Sequence, residues 1–183
     1  MNKAIRQILL SAVIVVGLMH PSLADAIERV LDYHRDECLA LMEEERNIDA
    51  DLDQIISDPL IVSDNSIYQI QISNEGTSAT VIFADFSCEG YGTPWCGSGG
   101  CRSMIIVEEQ VYGPLLGGRP TSVSVPAAYG EDQIVTLISL GGSRCQDADG
   151  NSGINASPCF MSAIWDDYDR TFYSSGVPVV TWP

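Results

Sequence analysis

The stretch Ile67-Tyr68-Gln69-Ile70-Gln71-Ile72 decides the fold class. Apolar and polar side chains alternate along it, the period-two signature of a strand with one buried face. Asn74-Glu75-Gly76 follows as a turn signal, and Thr80 to Phe86 supplies a second strand, so the two read as a hairpin. Upstream the period changes. Between Asp25 and Asn47, the residues Ile27, Leu31, His34, Cys38 and Leu41 recur at spacings of three and four, which predicts an amphipathic helix with Asp25 as its cap. The acidic segment from Asn47 to Asp58, stopped by Pro59, reads as a short helical turn or a loop.

Downstream the texture stays β-like. Ser87 to Cys101 is a glycine-rich loop, Met104 to Glu108 a β-rich run, and Tyr112 to Pro120 a loop on account of Gly113-Pro114 and Gly117-Gly118. Thr121 to Val125 alternates, and Ile134 to Leu140 is apolar enough for a central strand. Ser143 to Pro158 is a polar loop. Phe160 to Trp165 and Thr171 to Ser174 flank Asp166-Asp167-Tyr168-Asp169 as a second hairpin, and Val177 to Trp182 is extended. One helix followed by about seven strands, without β-α alternation, predicts an α+β fold: an N-terminal amphipathic helix packed on a mainly antiparallel sheet.

The first 24 residues follow the pattern of a secretory signal peptide. Lys3 and Arg6 precede an apolar run from Ile8 to Leu18, and Ser22-Leu23-Ala24 is a small-x-small cleavage site, so residues 25–183 form a single mature domain. The run is too short to span a bilayer, and no membrane insertion is expected after cleavage. The expected location is periplasmic or secreted. Cleavage leaves seven arginines, no lysine and 25 acidic residues, a net charge of −18. Such a charge repels nucleic acid and anionic lipid, so neither is expected as a partner.

Six cysteines, Cys38, Cys88, Cys96, Cys101, Cys145 and Cys159, all lie beyond the leader, and an even set in an exported chain reads as a disulfide framework. Six cysteines allow 15 connectivities. Local closure favours Cys96 with Cys101 and Cys145 with Cys159, leaving Cys38 with Cys88, each bridge contributing about 2–4 kcal/mol. Zinc sites use C-x2-C-like spacings with histidines, and redox sites use C-x-x-C; neither is present. The box Cys96-Gly97-Ser98-Gly99-Gly100-Cys101 shares a Ser-Gly-Gly with serine proteases, but His34, the one histidine beyond the leader, lies on the apolar helix face and is no catalytic base.

The order of a helix cysteine, a strand-end cysteine, Trp95 before the glycine-rich cysteine box, then Gly142-Ser143-Arg144-Cys145 and Pro158-Cys159 ahead of Trp165 and Phe172-Tyr173, resembles a group of small exported bacterial proteins with a Cys-Gly-Ser/Thr-Gly-Gly-Cys box. That group has no established activity to carry over. Its members often hold an Asp-x-Asn-Gly-Asp-Gly turn before the second strand, whereas this chain has Ile72-Ser73-Asn74-Glu75-Gly76.

Asp147, Asp149 and Asn151 alternate as in the opening of a calcium loop, but Ser152 stands at the glycine position and Pro158 at that of the bidentate glutamate. A polar loop closed by a bridge explains the pattern as well. Asp49, Asp51 and Asp53 also alternate, and Asp166, Asp167 and Asp169 suit a hairpin tip better than a pair of hydrolytic carboxylates. The sequence therefore points to a non-enzymatic binding or envelope-associated module without a cofactor. Its expected partner is a protein in the envelope or outside the cell, with Tyr91, Trp95 and Ser98 as a binding loop. The alternatives are an inhibitor of an exported enzyme acting through loop 89–102, and a carboxylate-based hydrolase.

Overall fold

The computed structural model describes residues 22–46, 58–126, 130, 132–140 and 159–183. Helix α1 spans Leu23–Arg46. Twelve strands follow among the described residues: β1 Leu60–Ile61, β2 Ile67–Gln71, β3 Ser78–Phe83, β4 Ser87–Cys88, β5 Cys96–Gly97, β6 Gly100–Val107, β7 Gln110–Gly117, β8 Thr121–Val125, β9 Gln133–Leu140, β10 Cys159–Asp166, β11 Thr171–Ser174 and β12 Val177–Pro178. Every strand pairing between them is antiparallel. The chain is thus α+β with disulfide bridges.

One sheet runs β2-β3-β6-β5 with β7 also paired to β6; a second runs β12-β11-β10-β9-β8; β1 and β4 form a small ribbon. The two larger sheets are joined at both sides. On one side the Ser122 hydroxyl donates to the Gln71 carbonyl and the Tyr68 hydroxyl to the Pro120 carbonyl, at 3.0 Å for the latter. On the other, the chain beyond β12 turns to run along β7, with Gly113 N–H donating to Val180 O at 3.0 Å and Trp182 N–H to Val111 O at 2.9 Å.

Strand β6 has nearly all of its second half buried on both faces. Met104 and Ile106 belong to a cluster with Ile82, Phe86, Val111 and Trp95, which also contains Ala26, Val30 and Cys38 of α1. Ile105 and Val107 point the other way, into a cluster with Val81, Tyr112, Ile138, Trp165 and Phe172. A strand with a helix-derived cluster on one side and a second sheet on the other cannot show alternating hydrophobicity. That is why β6 reads as a plain apolar run.

Two sequence expectations are corrected here. The segment from Tyr112 to Pro120 is not a loop: β7 continues to Gly117. Its pairing skips from Ser103↔Leu115 to Ile105↔Tyr112, so Gly113 and Pro114 face one residue of β6. The bulge accommodates a proline that has no N–H to give to the ladder. The helix face agrees with the sequence at His34 and Cys38, with Ala26 and Val30 buried more deeply than Ile27 and Leu31 beside them. Its wholly buried positions are Ala26, Val30, His34 and Cys38, while Ile27, Leu31 and Leu41 are half-buried. Ala26 sits in the tight contact because its small side chain permits it. The start of α1 is a reciprocal cap: Asp25 N–H donates to the Ser22 hydroxyl at 3.2 Å, and Ser22 N–H to Asp25 Oδ2 at 2.7 Å. In the full chain Ser22, rather than Asp25, holds the cap position; the expected cleavage after Ala24 removes it and leaves Asp25 at the start of α1.

Candidate functional site

The bridged loop expected to carry binding leaves β4 at Cys88 and returns to the sheet through β5 and β6. Cys96 and Cys101 face each other across those two strands and are bonded. Gly100 adopts φ +106°, and a Cβ there would lie 2.1 Å from the Gly117 carbonyl oxygen of β7. Glycine is therefore required where the box meets its neighbouring strand. Cys38 of α1 is bonded to Cys88 at the root of the same loop. Cys159 is also disulfide-bonded; Cys145, its expected partner, lies outside the described residues, as do Asp147, Asp149, Asn151 and the run Asp49, Asp51, Asp53.

Trp95 is turned inward and is 5 % exposed. Its ring meets Phe86 and His34 edge to face, with centroids 6.0 and 5.0 Å away. Its indole N–H donates to Glu37 of α1 at 2.6 Å. Tyr91 is half-buried against the same cluster. Ser98 is exposed at the tip of the β5–β6 turn, with Gly97 beside it. The loop thus divides: Trp95 anchors it, and Glu89, Thr93, Pro94, Gly97 and Ser98 form its outward surface.

Glu37 organises the junction. Its carboxylate accepts from Trp95, from Arg102 Nη1 at 3.1 Å to each oxygen, and from the Tyr33 hydroxyl at 2.9 Å. Burial pushes this carboxyl up, but hydrogen bonds from Tyr33, Arg102 and Trp95, with the Arg102 charge, outweigh it and hold the pKa below its ordinary value. Around the junction lies a groove of about 340 Å³ lined by Glu37, Ala40, Leu41, Glu44, Pro94, Trp95 and Arg102. It pairs an apolar floor with charges of both signs at its rim.

Glu37 and Arg102 were not singled out by the sequence reading. The signal was present: Tyr33 and Glu37 are spaced i, i+4, and Arg102 directly follows the box. The carboxylates of the second hairpin are occupied by the turn itself. Asp166 accepts the N–H groups of Tyr168 and Asp169, each at 2.9 Å, Asp167 accepts from Trp165 at 2.8 Å, and Asp169 accepts from the Tyr173 hydroxyl at 2.8 Å. Ser98 is exposed while His34 has zero exposure. Among the described residues, no group of three or more His, Cys, Asp or Glu side chains is arranged to hold a metal. No helix among them is long and apolar enough to cross a membrane.

No family model matches the chain, and no curated protein or solved structure matches it either.

Proposed function

We propose that the chain is an exported, non-enzymatic binding or envelope-associated module, made with a signal peptide over residues 1–24, that meets a protein partner across the groove between α1 and the bridged hairpin. In this reading α1 lies packed on the β2-β3-β6-β7 sheet as the fixed wall of the groove. The shared cluster of Ala26, Val30 and Cys38 with Ile82 and Met104 supports that placement, as does the Cys38–Cys88 bond. Disulfides are compatible with an oxidising compartment outside the cytosol, and the resemblance to exported bacterial proteins with the same cysteine box points the same way.

The observation that carries the reading is the Glu37 junction, which ties Trp95 and Arg102 of the bridged hairpin to the helix. It fixes the walls before any partner arrives, so binding loses little conformational entropy. A narrower form of the same proposal is an inhibitor of an exported enzyme that presents the outward part of loop 89–102. The exposed run Gly92-Thr93-Pro94 and the Gly97-Ser98 tip favour it.

A photo-crosslinking residue at Ser98 tests the proposal in cells that export the protein. The same residue at Tyr168, 95 % exposed on the distant hairpin, serves as control. A discrete protein adduct from Ser98 and none from Tyr168 is expected. Equal adducts from both sites, or none from Ser98, would overturn the proposed surface. Recovery of the chain from the cytosol with residues 1–24 intact would overturn the export reading.

A further inference from the structure

His34 is a buried polar group left half-satisfied. The ring has zero exposure and lies between Tyr33, Phe86 and Trp95, whose centroids are 5.3, 5.3 and 5.0 Å from its own, all nearly perpendicular to it. Nδ1 lies 2.8 Å from the Val30 carbonyl oxygen. A carbonyl only accepts, so Nδ1 carries the proton and Nε2 is left as a bare lone pair. Among the described residues, Nε2 has no hydrogen-bond partner. The charged and titratable groups facing the ring are Tyr33 and Glu37 from α1 and Arg102 from β6; the segment from Phe86 to Trp95 brings only aromatic surface. Glu37, the one anion, is already engaged by Tyr33, Trp95 and Arg102.

We propose that His34 is a proton-operated latch: the neutral ring holds α1 against the sheet, and a solvent proton taken up on the Nε2 lone pair releases the helix, which stays tethered through Cys38–Cys88. The protonated ring carries a second N–H and a full charge into a buried site where no described residue offers Nε2 an acceptor. Burial, the largest influence on this ring, lowers its pKa; the Val30 carbonyl and Glu37 pull it upward, and Arg102 lowers it further. The sign follows. A histidine whose folded pKa is depressed leaves stability intact above the unfolded value of 6.5 and erodes it as the pH falls below that value. While the closed form stays neutral, the open fraction rises about tenfold for each pH unit below that point. Opening exposes the groove wall on α1 and frees Trp95 from Glu37.

The test is an NMR titration of the intact protein between neutral pH and about pH 5, with no partner present. The side-chain nitrogens of His34, assigned through its own backbone, report the tautomer. The indole N–H of Trp95, which leaves Glu37 on opening, reports the latch, and that of Trp165, held by Asp167, serves as internal control. The latch predicts an Nδ1–H tautomer at neutral pH. Below about 6.5 it predicts loss of protection at Trp95 with Trp165 retained, and absence of that transition in His34→Phe. Titration of His34 at an ordinary value with Trp95 undisturbed would overturn the proposal. So would simultaneous loss of Trp95 and Trp165, or an unchanged transition in His34→Phe. Should the variant fail to fold, the wild-type titration decides alone.

Discussion

Glu37 receives hydrogen bonds from three side chains, one on α1, one on β6 and one in the loop before β5, and no other carboxylate among the described residues does so. Removing its charge separates electrostatics from shape. Glu37→Gln keeps an acceptor for only one of Trp95, on Oε2, and Tyr33, on Oε1, and breaks the ion pair with Arg102, whose side chain is 38 % exposed. Solvent screening of that pair limits the loss to about 1–2 kcal/mol. Urea denaturation at neutral pH measures it. A loss below about 0.5 kcal/mol would show that the junction is a surface ion pair and not a structural tie. The same residue sets the acid limit of the fold. Its depressed pKa stabilises the folded state above the ordinary value of 4.5, and that contribution is lost as the pH falls through the folded pKa. The His34 effect begins two pH units higher, so the two groups act in different windows.

Among the elements, the pair β6 and β7 is where local sequence and tertiary structure disagree most. Gly113-Pro114 and Gly117-Gly118 carry strong loop signals, yet β7 runs through the first pair and ends inside the second. The bulge opposite Met104 explains the proline. Close packing explains the glycines: a Cβ on Gly117 would lie 2.5 Å from the Ile138 side chain of the second sheet, and one on Gly100 would meet the Gly117 backbone. Gly100→Ala must therefore move backbone as well as adopt a disfavoured φ, and a destabilisation of at least about 2 kcal/mol is expected. Differential scanning calorimetry of the variant checks it; an unchanged midpoint would mean that the box does not touch β7 as described. The hairpins, by contrast, were legible. Strand β2 has half-buried apolar and exposed polar residues, β3 is buried from Ala79 to Phe83, and their turn carries Gly76 at φ +93°. The helix was legible in period and in face at His34 and Cys38; Ala26 was missed because it contributes little to a hydrophobic pattern.

At the scale of the whole molecule, two covalent bonds frame a junction that sequence pattern alone could not specify. Local closure predicted the pairings Cys38–Cys88 and Cys96–Cys101, and both are present. The junction they frame depended on long-range contacts, Glu37 to Trp95 and to Arg102, that periodicity does not encode. The Cys38–Cys88 bond spans a separation of 50 residues, and in the chain-entropy picture closing that loop contributes on the order of 4 kcal/mol. The net charge of −16 opposes the compact state through self-repulsion, so the bridges and the two buried clusters have a standing load to offset. Peptide mapping of the purified protein under non-reducing conditions, with a thiol reagent present throughout, tests this most directly. A peptide joining Cys38 to Cys88, another enclosing Cys96 bonded to Cys101, and no labelled cysteine are expected. Labelling of Cys38 and Cys88, or their bonding to other cysteines, would contradict that pairing.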